Sequence, residues 1–412
     1  MSDQGFTIKA ASSIEAIGRQ AWDRCANPLA ATPQDCPSGR HPGAEDEAAA
    51  PDPSAEHFNP FISYDFLHAL EASGCVGGRS GWTPLHLFVT HEDDRVAGVM
   101  PAYGKSHSQG EYVFDWGWAD AYERAGGQYY PKLQVSIPFT PATGRRFLVA
   151  PGEDAALVSS ALVKGAKAAL SSIGGSSIHA TFIGHDDWQW LGGQGFLQRT
   201  DQQFHWLNEG YDDFEAFLAS LASRKRKTIK RERRDALANG ITIERLTGAA
   251  ITKEAWDAFY AFYMDTGSRK WGRPYLNRKF YALIGETMAE HVLLVMARRE
   301  GRYIAGAINF IGSDTLYGRN WGCIEDHPFL HFEVCYHQAI EFAIERRLRR
   351  VEAGAQGEHK LARGYRPVTT YSAHYIADPG FRRAVDDYLA HERAEIAAHH
   401  EALDEATPFR KG

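Results

Sequence analysis

HVLLVMARREGRYIAGAINFIG, residues 291–312, is the stretch on which the fold turns. Both ends are rich in aliphatic and β-branched residues, and the middle is charged with one glycine. That pattern is a β-hairpin around REGR. LHLFVTHEDDRVAGVMPAYG, residues 85–104, repeats it around HEDD. The flanks repeat as well. Residues 6–25 read as a strand and a helix, and NPFISYDFLHALEASG (59–74) as a second helix with Phe61, Phe66, Leu67 and Leu70 on one stripe. A helix over ALVSSALVKGAKAALSSIGG (156–175) and a buried strand, SIHATFI (177–183), follow the first hairpin. In the second half, ITIERLTG (241–248) is a strand, residues 251–270 and 277–291 are helices, and TLYGRNWG (315–322) is a third strand after the hairpin. An amphipathic helix (331–348) and the strand RRVEAG (349–354) complete the set. One αβ plan used twice predicts α/β architecture with mixed sheets: a first domain over residues 1–205, a second over 206–380, and a C-terminal helix over 381–412. Each domain is expected to bury its own core.

Residues 26–57 are rich in Ala, Pro, Asp and Glu and nearly lack large apolar side chains, so a disordered insertion is expected there. Five scattered cysteines without a CxxC pair point to a reducing compartment. The start of the chain has neither the basic nor the apolar segment of a signal peptide, and no run is apolar enough to span a bilayer. The expected location is the cytoplasm. A formal charge of −7 argues against a general nucleic-acid binder. Against that background stands SRKRKTIKRERR, residues 223–234, in which eight of twelve residues are basic. It reads as part of one helix over 213–238, with Asp212 as N-cap and Glu215 closing a capping box.

Several long strings occur in order: NPFISYDFLHALE, EYVFDWGWADAYERAGGQYYPKLQVSIPFTPATGRRFL, SRKRKTIKRERR, YGRNWGC, LHFEVCYHQAIEFAIE and VEAGAQGEHKLARGYRPVTTYSAHYIAD. Together they resemble the FemAB-like family of N-acyltransferases of peptidoglycan biosynthesis or recognition, over nearly the whole chain outside 26–57. The resemblance implies two GNAT-like acyltransferase domains in tandem. Its better-known relatives move an amino acid from aminoacyl-tRNA to the peptide amine of a cell-wall precursor. The implied donor is therefore aminoacyl-tRNA or an acyl-CoA, with no tightly bound cofactor, and the implied partners are an amine-bearing acceptor and tRNA. Neither helix start, after GCIEDHPFL or after VAPGED, carries the Arg/Gln-x-x-Gly-x-Gly/Ala loop of acetyl-CoA enzymes. Two rivals follow: an acetyl-CoA-dependent enzyme of a small amine, and a recognition module for peptide or RNA without chemistry.

Acyl transfer to an amine needs a base, donors for an oxyanion and a grip on the acyl donor. GAQGEHKLARGY (354–365) follows a strand end, where open α/β sheets place ligands. Glu352 in its mostly apolar strand, or His359, is the expected base; Lys360, Arg363 and Arg319 are expected to steady the donor or the oxyanion. Arg319 alternates with Tyr317 and Trp321 on one strand face, the bland reading being an ion pair with Glu333 or Glu352. Asp115, Trp118 and Asp120 in FDWGWADAY are expected to line the acceptor side, with Lys132 in a wall; otherwise they are core aromatics and helix caps. His327, His331 and Cys335 have helical spacing for a metal, but Pro328 puts His327 outside the helix, so no metal is expected. His374 is read as a wall residue. Arg224, Lys225, Lys227 and Arg231 are either a solvated face or a phosphate-tracking one.

Overall fold

The computed structural model describes residues 5–28, 58–270, 274–354, 357–405 and 407–409. In the first half β1 (Thr7–Ala11), α1 (Arg19–Ala26), α2 (Tyr64–Ala72), β2 (Trp82–Pro84), β3 (His86–Thr90), β4 (Val96–Met100) and β5 (Tyr103–Lys105) come first. They are followed by α3 (Trp116–Arg124), β6 (Lys132–Val135), β7 (Leu148–Val149), α4 (Ala155–Ser172), β8 (Ser177–Ile183), α5 (His185–Gly193) and β9 (Leu197–Leu207). The second half begins with α6 (Phe214–Ser220), α7 (Ser223–Ala236), β10 (Thr242–Thr247), α8 (Lys253–Lys270) and α9 (Arg278–Thr287). It continues with β11 (Val292–Arg299), β12 (Arg302–Ile311), β13 (Thr315–Cys323), α10 (Leu330–Phe332), a π-helical turn Glu333–His337 and α11 (Gln338–Glu345). β14 (Arg350–Glu352), a 3-10 turn Glu358–Arg363, β15 (Arg366–Ile376) and α12 (Pro379–Glu405) end it.

The duplication is visible as topology. β1-β3-β4-β7 in one half and β10-β11-β12-β13 in the other are antiparallel runs of the same order. Each carries a helix pair after its first strand (α1–α2, α8–α9), then a helix after its fourth (α4, α10–α11) and a further strand (β8, β14).

The halves share one core cluster and one sheet. β10-β11-β12-β13-β14-β9-β15-β8-β6-β5-β2 form one sheet, and the boundary expected at 205/206 falls inside β9, which pairs with β14 and β15. Trp22, Phe61 and Phe66 pack in the same cluster as Phe259, Phe280 and Phe310. Phe66 meets Phe280 and Phe310 edge-on at 5.7 and 5.4 Å. The reason is that each helix pair has an apolar face that its own short strands leave uncovered, and the two pairs cover one another.

Two local expectations need correction. Residues 213–238 are two helices, because Leu221 and Ala222 are extended. Leu221 is fully buried and bridges to Phe409, and Ala222 N–H donates to the Pro408 carbonyl, so the C-terminal residues break the helix from outside. The cap is Asp213, which accepts from Ala216 N–H, and Glu215 instead receives Lys230 at 2.6 Å. The expected disordered insertion lies outside the described residues over 29–57. Its expected beginning is structured: Ala26 ends α1, and Asn27 exchanges hydrogen bonds with the backbone of Asn59.

A candidate acyl-transfer site where a strand stops short

Tyr317, Glu352 and His205 stand level across β13, β14 and β9. There β14 ends, while its two neighbours continue. Two residues further on, Arg319 of β13 and Gln203 of β9 face one another across two strand spacings, about 10 Å. The slot opens into a cavity of about 650 Å³. A side crevice of about 80 Å³ between β13 and the π-helical turn holds His331, Cys335 and Tyr336. Arg319, Asn320 and Ala353 line both.

Arg319 is placed by a β-bulge. Ile308 pairs with Asn320 and Asn309 with Gly318, which leaves Arg319 as the extra residue. The bulge overturns the simple alternation: Tyr317 packs in the aromatic core against Phe61, whereas Trp321 packs against His331 on the other side. Arg319 donates to the Phe139 carbonyl at 2.5 Å. Among the described residues no carboxylate lies within ion-pair distance of it. Glu333 is taken by Arg233 at 2.9 Å and Gln338 at 2.7 Å.

Glu352 is 3% exposed, and neither carboxylate oxygen accepts a hydrogen bond among the described residues. Burial raises its carboxyl to about 7, against the pull of Arg350, Arg319 and Arg146. The next two residues, Ala353 and Gly354, line the cavity. His359, the rival base, is exposed and bonds the Tyr336 hydroxyl at 2.9 Å; burial and the charges of Lys360 and Arg363 hold its pKa below the usual value. Lys360 is buried, donates to the Gly354 carbonyl at 2.9 Å and is lowered by burial to about 8. It shapes the end of β14 rather than facing the slot. Arg363 lies over Phe332 and grips Glu232 of α7 with two 3.0 Å bonds.

The residues expected on the acceptor side form a layer behind the cavity wall. Lys132, fully buried, donates to Asp115, Glu111 and Ser108 at 2.5, 2.7 and 2.8 Å. Tyr129 O–H donates to Asp115 at 2.6 Å. Burial opposes ionisation of Asp115, but Lys132 prevails and holds its carboxyl well below the usual range. Trp118 is stacked by Arg199 and meets the buried His374 edge-on. Asp120 is exposed and is not among the residues lining the cavity. The aromatic wall exists, but it is built by Phe114 and Trp116 of that string together with Tyr112, Tyr263 and Tyr275. The carboxylate facing it is Asp201 on β9, which sequence reasoning missed. An alternating strand, LQRTDQQFHW, was its only local signal.

His327 bonds Glu325 at 2.9 Å, apart from His331 and Cys335, and no cluster of three metal-ligating side chains occurs among the described residues. Among those residues no helix is long and apolar enough to cross a membrane.

The basic run divides by partner. Arg233 pairs with Glu333 and Glu341, Lys230 with Glu215 and Arg234 with Asp235. Among the described residues, Arg224, Lys225, Arg226, Lys227 and Arg231 have no carboxylate within ion-pair distance. α7 has no side-chain N-cap and no acid in its first turn. Arg224, Lys225 and Arg363 line a groove of about 350 Å³ beside that turn.

Comparison with known proteins agrees with this architecture. The profile of the FemAB-like family, peptidoglycan biosynthesis/recognition, matches residues 13–411. No curated protein sequence matches the chain at a significant level. Among solved structures, FemX superposes with a TM-score of 0.51 at 13% identity, covering 81% of this chain and 96% of that one. L-PGS from Bacillus licheniformis gives 0.49 at 10% identity, over 81% and 93%. A tandem GNAT protein from the clavulanic acid biosynthesis pathway gives 0.42 at 12%, over 91% and 99%. With the family's profile spanning nearly all of its two joined repeats, the chain belongs to the FemAB-like family of peptidoglycan biosynthesis/recognition.

Proposed function

We propose that this protein is an N-acyltransferase that moves an acyl or aminoacyl group onto an amine held in the slot between β13 and β9. The observation that carries the reading is the meeting, where β14 stops, of an Arg319 with no carboxylate partner among the described residues and a buried Glu352 raised to about 7. The amine nitrogen attacks the acyl carbon. Glu352 accepts the proton the amine loses, directly or through one water, and a carboxyl titrating near neutrality suits that task. Arg319 and the unpaired backbone edge of β13 stabilise the oxyanion. Tyr336, its hydroxyl held by His359 beside the crevice, protonates the departing oxygen or sulfur.

The α7 groove supports aminoacyl-tRNA as donor, because cations at a helix start with no carboxylate partner among the described residues suit phosphate. The family description supports a cell-wall peptide precursor as acceptor. Such a donor goes with a cytoplasmic enzyme. The test is mass spectrometry of an amine-bearing precursor peptide incubated with charged tRNA or with acetyl-CoA. Transfer from tRNA, lost in Glu352→Gln and in Arg319→Gln, supports the reading. Transfer from acetyl-CoA alone moves the donor to the thioester class. Binding without transfer from either donor returns the protein to a recognition role.

A further inference from the structure

Asp201 and Arg319 are the only charged side chains among the described residues that line the 650 Å³ cavity. They carry opposite signs. Among the described residues neither has an oppositely charged side chain within ion-pair distance, and the nearby Arg199 is committed to Glu392 at 2.7 Å. They stand on opposite walls of the slot. Gln203 is level with Arg319, so Asp201 lies one two-residue step further along β9. Two strand spacings across and two residues along put their Cα atoms about 12 Å apart. An arginine and an aspartate reaching inward then enclose a molecule a few bonds long. Aromatic side chains line the same cavity: Phe114 and Trp116, 56% and 43% exposed, and Tyr275, stacked on Phe139 at 4.7 Å. Among the described residues the exposed Asp201 carboxylate accepts only from the neighbouring Gln202 N–H, at 2.7 Å, and partial desolvation raises its carboxyl. An ammonium group supplies the partner this carboxylate lacks, and aromatic faces favour the same cation.

We infer that the acceptor is a zwitterion whose ammonium is anchored by Asp201 and whose anionic group is held by Arg319 across the slot. Asp201 is thereby the residue that determines acceptor specificity. The inference rests on the reading of the slot as an amine-acylating site and adds the chemical class of what enters it. That ammonium is a recognition group, distinct from the amine nitrogen that Glu352 deprotonates.

The experiment is calorimetric titration of the whole protein with β-alanine, γ-aminobutyrate and ε-aminocaproate, with n-hexylamine and caproate as single-charge controls. Affinity is expected to rise with the separation of the charges and to exceed both controls at least ten-fold for the best member. Asp201→Asn is expected to lose that advantage while still binding caproate, and Asp201→Glu to retain most of it. Equal binding of zwitterions and controls, or a zwitterion affinity unchanged in Asp201→Asn, overturns the inference. The transfer assay separates it from the reading of function. If wild-type protein transfers acyl groups and Asp201→Asn keeps the acceptor KM, the subsite fails and the transferase stands. If zwitterion binding follows both charges without transfer, the transferase reading fails and the subsite stands.

Discussion

Glu352 Oε1 lies 3.8 Å from Arg350 Nε on the same three-residue strand, close enough to attract but too far to hydrogen-bond. A carboxyl so placed is stabilised by charge yet starved of donors, and burial decides its pKa. The folded value of about 7 stands above the unfolded value near 4.5, so the fold favours the protonated form. Stability is therefore fully present below about 4.5 and declines as pH rises to about 7, by on the order of 3 kcal/mol. Glu352→Gln should remove that decline and be the more stable protein at pH 8 in denaturant melts. If Glu352 is the base, the same variant should lose at least ~100-fold in turnover. A variant less stable than wild type at pH 8 would refute the buried, donor-poor carboxyl.

The basic helix should respond differently on its two faces. Arg224→Glu with Lys227→Glu should leave the melting temperature unchanged, weaken binding of aminoacyl-tRNA and reduce the slope of log affinity against log salt by about 0.9 per lost phosphate contact. Arg233→Ala should instead destabilise by roughly 3 kcal/mol, because it removes the cation from the fully buried Glu333. Filter binding across a salt series and thermal melts check the two. Unchanged binding in the double variant would return the outer face to plain solvation.

Lys132 is the cation between two buried acids. Lys132→Met should cost about 3–5 kcal/mol, since Asp115 and Glu111 would face one another without it. Circular dichroism melts give the number. A cost under about 1 kcal/mol would mean that water or relaxation satisfies both acids.

Deletion of residues 30–56, keeping Asn27 and Asn59, should preserve a single cooperative transition. The mutual hydrogen bonds of that asparagine pair already join the two ends of the excised segment. Asn27→Ala in the same background should lower the midpoint. A deletion variant that precipitates or unfolds in two steps would show that the segment takes part in the core.

The repeat was legible in the chain because hairpins and amphipathic helices are local patterns. Two charged turns between aliphatic runs, at 91–94 and 299–302, were enough to expose one plan used twice. The strands that carry Glu352 and Arg319 were legible for the same reason. The separation of α6 from α7 was not, because Leu221 and Ala222 are held extended by Pro408 and Phe409, far away in sequence. Nor was the acceptor wall: Asp115 and Lys132 look available in sequence, and only packing against Tyr129 and Glu111 turns them inward. Asp201 shows the converse. Nothing beside it marks a site; it becomes one because β14 stops after Glu352 and leaves β9 facing β13 across two strand spacings. Composition and periodicity determined which elements form. Which side chains share a cavity was decided by where one strand ends relative to its neighbours, a relation between residues some 150 positions apart that no local window contains.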